Sequence, residues 1–505
     1  MNIVYEKFVL KLFTALMLLI GIYWLFSSLT LLGSAPNPLL FVLAILLMFL
    51  FLMPKFSRKV INVLLEYKIL IFLFSICFQL LILFSTILMI RSDAAMVFNG
   101  AMKIVDNSTI STYLSYNPNN LFLFLYERVF YNLFKNNAIW IMQFLNIFYV
   151  NLSSYLLYIV SKKFISQNVA DIAFLLFTFL ITLTPQFVTM YTDVMVLPII
   201  TIQLYLIFEI LNKDNEIKSL ILKVILLAIT TGIGYTIRPT LLILVMAFFI
   251  ISSIYKGYKQ FLVYFAVFSL IFVPTITISK SINNSQNVVS IKKEYAKTPL
   301  AFIDLGLTYI GTNQIEFQNG LSMFVNESTK VDSEYDGRYS NEVVKKDIKR
   351  RLKEYNLNTF IGHLLYKQSA TVKDGSLGWN YKDASKEGAF FINPMYQNHK
   401  DNRIYNFFRN YIIYTDRPTF NYYRVFLQII YIIMIIGFVI SFIKVNNSLI
   451  SQTLAIAVFG GLLFLLIFEG GKSRYMIQFL PQIILLSGIG FNNLSIKLNT
   501  LKRFV

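Results

Sequence analysis

Residues 67–90 read YKILIFLFSICFQLLILFSTILMI, and Arg91, Ser92 and Asp93 follow at once. The run is charged only near its start, at Lys68, and is long enough for an α-helix to cross the ~30 Å hydrocarbon core of a bilayer. A carboxylate at the lip of such a helix is costly to bury and is rarely kept for packing alone. Asp93 is therefore the first candidate for chemistry at a membrane surface.

The same apolar pattern recurs along the chain. About twelve spans lie near residues 8–33, 38–54, 67–90, 138–160, 169–187, 194–211, 219–235, 239–255, 260–279, 422–444, 448–468 and 474–492. Hydrophobic residues make up 56% of the sequence and charged residues 14%, against roughly 25% charged in a soluble domain. The fold class is an all-α polytopic membrane protein, with an N-terminal membrane region at 1–279, a polar segment at 280–421 and C-terminal membrane helices at 422–505.

A net charge of +19 raises the question of nucleic acid, but the placement of the cations answers it. They cluster in alternate gaps: Lys55, Arg58, Lys59 and Lys68; Lys162 and Lys163; Lys213, Lys218 and Lys223; Lys256 and Lys259; Lys444; then Lys497, Lys502 and Arg503. By the positive-inside rule both termini are cytoplasmic, and the charge sets topology without any nucleic-acid partner. Asp93, Asp193, Arg238, the 280–421 segment and Glu469–Arg474 then all fall outside.

Lys7 and Lys11 precede the first apolar run, which lacks a small-residue cleavage site and reads as an uncleaved signal anchor. The lone cysteine, Cys77, permits no internal disulfide, and His363 and His399 both lie in the polar segment. No metal motif stands out, and a divalent cation stays open. No internal repeat is visible, which weighs against a transporter of duplicated halves.

Each candidate motif has a plain structural alternative. Asp93, at the water–lipid boundary, suits a general base, or else it caps the next helix. After it, 91–137 turns amphipathic, with Glu127 and Arg128 between apolar residues, as for a helix lying in the outer interface. Tyr116, Asn117, Asn119 and Asn120 offer hydrogen bonds suited to sugars or phosphates. Asp193 follows Tyr191-Thr192 and is either a second outer acid or an N-cap.

Arg238-Pro239-Thr240 joins two short spans, where a guanidinium either meets a phosphate or snorkels to headgroups. Glu469-Gly-Gly-Lys472-Ser-Arg474-Tyr475 puts an acid and two cations on a flexible Gly-Gly at a helix entrance, or is an ordinary charged loop. Trp379 either stacks on a sugar face or anchors its loop to the bilayer.

The order and shared sidedness of these pieces resemble the GT-C superfamily of integral-membrane glycosyltransferases, in particular bacterial relatives of the protein mannosyltransferases and lipid A aminoarabinose transferases. The family pattern is filled here by Asp93, Asp193, Arg238-Pro239-Thr240, Ser473-Arg474-Tyr475, the Ser-Tyr-Asn-Pro-Asn-Asn run at 115–120 and the loop 280–421. Asp93 follows the third span where the family's acid follows the first, so spans one and two read as an N-terminal addition. Ala94 stands where some members carry a second acid.

The resemblance implies a GT-C-like bundle and a donor sugar on a polyprenyl phosphate, with Asp93 as catalytic base. Arg238 and Arg474, helped by Lys472, would hold the leaving phosphate; Asp193 and Glu469 would orient donor or acceptor. The acceptor would be a cell-envelope glycan or glycolipid at an extracytoplasmic site. A polysaccharide polymerase or ligase, or a flippase of lipid-linked sugars, is the competing expectation.

Overall fold

The computed structural model describes residues 3–34, 38–88, 90, 92–212, 217–383, 393–444 and 448–501. Among these the regular structure is helical throughout, with no strand. Among the described residues nine helical stretches are long and apolar enough to cross a membrane: Phe8–Gly33, Lys68–Ser85, Pro118–Phe164, Thr192–Leu211, Ile217–Ile237, Tyr258–Asn284, Phe420–Ser441, Leu449–Ile467 and Ser473–Leu494. Three shorter apolar helices, Leu40–Leu50, Gln167–Thr182 and Pro239–Tyr255, occupy the remaining expected spans. The chain is an all-α, multi-pass membrane protein.

Lipid is the solvent for much of this bundle. The helix Tyr258–Asn284 has only 11% of its apolar window buried, so Leu262, Phe265, Leu270 and Val273 face outward. Thr192–Leu211 and Ser473–Leu494 are central, each 83% buried. Without a hydrophobic drive between helices in lipid, close approach at small residues supplies the packing. A Cβ on Gly490 would stand 1.9 Å from the Gly437 carbonyl oxygen, so the helices through these two residues meet backbone to backbone.

Charges mark two levels of the bundle. Asp193 opens the helical stretch Thr192–Leu211, and Glu209 lies near its other end, about 24 Å away at 1.5 Å per residue. Glu209 pairs there with Lys163 and, at 2.6 Å, with Lys223. Lys163 and Lys223, two of the cations that the sequence places in one set of gaps, thus meet their acid at the end opposite Asp193.

Between Asn284 and Phe420 the chain forms short helices, among them Pro299–Gly306, Gln314–Ser322, Asn341–Glu354 and Leu357–Val372. Tyr295, Leu305, Phe317, Leu321 and Val343 form their core. The basic run Lys345–Arg351 lies on Asn341–Glu354, and its last arginine is buried. Arg351 bonds Asp304 at 2.9 Å, Asp347 at 3.0 Å and Glu316 at 2.6 Å.

The expected interfacial helix at 91–137 is instead several pieces: Ser92–Ala101, Asn107–Tyr116 and Leu121–Phe134, joined by short turns. Glu127 and Arg128, read as its polar face, are both buried. The reason for Arg128 is backbone: its guanidinium donates at 2.6 Å to the Gly100 carbonyl at the end of Ser92–Ala101. Such end carbonyls lack a partner within their own helix.

Candidate active site

Asp93 stands where one helix is forced to stop and the next begins. Asn393 donates to the carbonyls of Leu83 (3.0 Å), Phe84 (3.3 Å) and Thr86 (2.8 Å), sealing the end of Lys68–Ser85. The backbone then turns through left-handed positions at Leu88 (φ 60°) and Ser92 (φ 58°), a strained choice for residues with a Cβ. Asp93 enters the first turn of Ser92–Ala101, where a negative charge suits the helix dipole, and its side chain stays exposed. Capping position and reactive carboxylate are therefore compatible. Arg91 lies outside the described residues.

From Asp93 a polar chain runs inward. Burial first, then the neighbouring Asp93 carboxylate, push the Tyr113 phenol above its ordinary range. Asn120 donates to the Tyr113 oxygen at 2.9 Å and accepts from the Tyr191 hydroxyl at 3.0 Å. Asn120 is 5% exposed, and a buried amide satisfied on both sides fixes its two tyrosines. The Arg474 guanidinium lies over the Tyr191 ring, 5.1 Å from its centroid.

The segment that leads into Asp193 is held by side-chain amides. Gln143 donates to the Val188 carbonyl and Asn146 to that of Phe187, both at 2.9 Å; Gln186 donates to Ser376 at 2.8 Å. The first two bonds satisfy end carbonyls of the short 3-10 turn Pro185–Val188, and the third ties that turn to the polar segment. Asp193 Oδ1 accepts from Arg238 Nη1 at 2.6 Å. Its Oδ2 is 3.4 Å from Arg474 Nε, close enough for an ion pair but not aligned as a hydrogen bond. Two guanidinium charges face one carboxylate.

Arg238 owes its place to Pro239, which cannot continue the helix Ile217–Ile237, so its backbone is extended (φ −154°, ψ 109°) at the break. Thr240, two residues on, bonds Gln478 and ties this break to the last membrane helix.

Arg474 is positioned from the polar segment. Lys367, 1% exposed on Leu357–Val372, donates to the carbonyls of Gly306 (2.9 Å), Leu466 (2.9 Å) and Phe468 (2.6 Å). One ammonium thus closes the C-terminal ends of Pro299–Gly306 and Leu449–Ile467, the pole where a cation is favoured. Thr371 accepts from the Gly471 amide at 2.8 Å.

The Gly470-Gly471 pair is not a flexible hinge. A Cβ on Gly470 would lie 2.1 Å from the Leu465 oxygen, and one on Gly471, at φ 76°, 2.0 Å from that of Ile310. Close packing demands both glycines.

Of the residues singled out in the sequence, Asp93, Asn120, Asp193, Arg238 and Arg474 are brought into one network. Glu469 joins through Tyr475, whose hydroxyl donates to it at 2.9 Å; Lys472 sits half-exposed, 4.0 Å from Glu469. Asn119 is exposed beside the network. Tyr116 turns away into a tyrosine cluster with Tyr295, Tyr335 and Tyr339. Trp379 stacks on Tyr381 at 5.4 Å and donates its indole N–H to the Ile413 carbonyl at 2.9 Å, while adjacent Gly378 abuts the Arg474 backbone.

Lys297 was not singled out by the sequence. Its ammonium bonds Asn117 at 3.0 Å, lies 5.3 Å from the Tyr339 ring centroid and feels the charges of Asp93 and Glu469. Burial holds it below the ordinary lysine value. Nothing local marks it out: it precedes Thr298-Pro299 in an unremarkable loop, and only the fold carries it inward.

The result is an exposed acid beside a half-buried cluster of cations at one end of the bundle. Among the described residues no three of His, Cys, Asp and Glu gather as metal ligands. The cluster can neutralise an anionic group while Asp93 takes a proton from a hydroxyl next to it.

Comparison with solved structures finds two crystal structures of ArnT from Cupriavidus metallidurans. The form bound to undecaprenyl phosphate has 12% identity and a TM-score of 0.33, covering 84% of this chain and 77% of that one. The apo form has 10% identity and a TM-score of 0.31, covering 86% and 78%. Neither score is high enough to carry activity across. No curated protein matches the sequence. The family model described as conserved hypothetical integral membrane protein matches residues 4–494, and the chain belongs to that family.

Proposed function

We propose that this protein is a membrane glycosyltransferase. It moves a sugar from a polyprenyl-phosphate donor to a hydroxyl of a cell-envelope glycan or glycolipid, at the extracytoplasmic face. One observation carries the reading: Asp93 lies at the end of the same polar network that holds Asp193, Arg238 and Arg474.

The reaction is a single displacement. Asp93 takes the proton of the acceptor hydroxyl as its oxygen bonds to the anomeric carbon. The anomeric C–O bond breaks on the opposite face, inverting the centre, and its electron pair leaves on the phosphate. Charge growing on that phosphate needs donors already in place. Arg238 stays fixed on Asp193, while Arg474, unaligned at 3.4 Å, turns one edge of its guanidinium to the phosphate. Lys297, and Lys472 from the rim, add positive charge. Asp193 keeps the two arginines in place before donor arrives, and Glu469 orients Tyr475 beside them.

The charged groups used here lie at one level of the bundle, which favours surface chemistry over a flippase path through the midplane. The test is an Asp93→Asn strain set against wild type, with envelope glycans and glycolipids compared by mass spectrometry. Transfer should fall by about 10²–10⁴-fold, as when a general base is removed, and the polyprenyl-phosphate sugar should accumulate. Because Asp93 is exposed, expression and melting temperature should hold. Normal product from the asparagine variant sinks the assignment.

A further inference from the structure

We propose that a cavity of about 360 Å³ walled by Tyr116, Tyr335 and Tyr339 is the saccharide-acceptor subsite, an inference that rests on the transferase reading above. The volume lies at the lower end of the range for small-molecule sites, about 300–1,000 Å³.

Its walls are aromatic. The Tyr116 ring centroid is 5.4 Å from that of Tyr335 and 5.7 Å from that of Tyr339, and Tyr295 stacks behind it at 5.6 Å. Its rim is ionic, and the charges are already paired. Asp332 accepts from the Tyr295 hydroxyl and from Lys292 (3.0 Å), Glu334 accepts from Lys292 (2.9 Å), and Arg338 bonds Asp336 at 2.6 Å.

This pairing selects the ligand. The three carboxylates are balanced by Lys292, Lys330 and Arg338, so the rim offers no excess positive charge to a phosphate or nucleotide, and a rim so polar offers nothing to an acyl chain. Asp332 and Asp336 are saturated by their own loop, but the exposed Glu334 accepts only from Lys292 and keeps lone pairs that suit the hydroxyls of a neutral sugar. The apolar C–H face of that sugar then lies on Tyr116, the partly exposed ring, which buried Tyr335 and Tyr339 hold in place. Oligosaccharides offer both faces at once.

The cavity also adjoins the reacting groups. Lys297 lies over the ring of Tyr339, bonds Asn117 and feels the Asp93 charge; its amide donates to the Tyr116 carbonyl at 3.1 Å. A glycan resting on Tyr116 would thus have its neighbouring residue next to Asp93. Tyr116, which the sequence offers as a substrate contact, would act on the acceptor away from the donor phosphate.

The test is saturation-transfer NMR on the full chain in nanodiscs. The probe is the set of water-soluble glycan fragments released by mild acid from the envelope of the host that supplies the gene. Wild type, Tyr116→Phe and Asp93→Asn should bind a fragment alike. Tyr116→Ala should weaken it about five- to tenfold, as loss of one aromatic stack implies. Glu334→Ala, a change at an exposed side chain that cannot disturb the core, should weaken it about threefold. The proposal is overturned if no fragment binds wild type, or if both alanine variants bind as wild type does. It is equally overturned if binding is abolished by salt alone with Tyr116→Ala neutral. Fragment binding in a wild type that transfers no sugar would sink the transferase reading and spare the cavity; transfer by a wild type that binds no fragment would do the reverse.

Discussion

Asp193 grips Arg238 through one carboxylate oxygen at 2.6 Å and turns the other, unbonded, toward Arg474 at 3.4 Å. With side chains 3% and 11% exposed, Asp193 and Arg238 are a buried pair, and such pairs are costly to break from one side. Asp193→Ala strands two guanidinium groups without their counter-charge.

The loss expected from Asp193→Ala is about 3–5 kcal/mol of stability, the usual cost of an orphaned buried charge. Chemical unfolding in detergent micelles measures it. Adding an anion that fills the gap, such as millimolar inorganic phosphate, should recover part of the loss in the variant and little in wild type. Equal phosphate stabilisation of both proteins counts against an anion site between the arginines.

Much of this arrangement is legible without coordinates, and what is not has a physical cause. Apolar run length fixes the spans because lipid thickness fixes it, and Pro239 marks a helix break because it lacks an N–H. Asp193 and Arg238 fall at span edges in the sequence, so their shared level is already implied; their contact is not. Lys367 and Lys297 are invisible locally, since a lysine reads as exposed until the fold places carbonyls or an aspartate around its ammonium. Glu127 and Arg128 mislead for the same reason: helical spacing shows a polar face, but the Gly100 carbonyl that takes Arg128 comes from another helix. Gly470 and Gly471 read as a hinge and are instead packing, because the carbonyls they avoid belong to Leu465 and Ile310.

Lys367 gives a prediction with an unusual sign. Burial holds its pKa down to about 8, against an ordinary value near 10.5. Between those values the unfolded chain binds the proton that the folded chain has released. This group's contribution to stability therefore rises with pH across that window and is flat below it. Lys367→Met should abolish the rise while lowering stability at pH 7, since three backbone carbonyls lose their donor. Melting curves for both proteins from pH 7 to 10 check it, and a difference that narrows as pH climbs contradicts the assignment. Transfer should also drop in the variant, because the Gly470–Arg474 segment loses its anchor.

Asp304 titrates with the opposite sign. It shares the Arg351 Nε–H with Asp347, at 2.9 and 3.0 Å, and its own Oδ2 has no hydrogen-bond partner. Burial first, then the Asp347 charge, push its pKa up to about 7 from an ordinary 3.8. The folded chain therefore holds a proton that the unfolded chain has lost. The stability this group contributes is complete below about pH 4 and disappears as pH rises through 7. Asp304→Asn is permanently uncharged and should remove the slope. Hydrogen exchange in Pro299–Gly306 and Asn341–Glu354, corrected for intrinsic rate, should match between wild type and variant near pH 4. At pH 8 the variant should be the better protected, because it has no second charge to repel Asp347. Protection of wild type that grows from pH 4 to 8 relative to the variant would mean that Asp304 is ionised throughout and that Arg351 neutralises both acids.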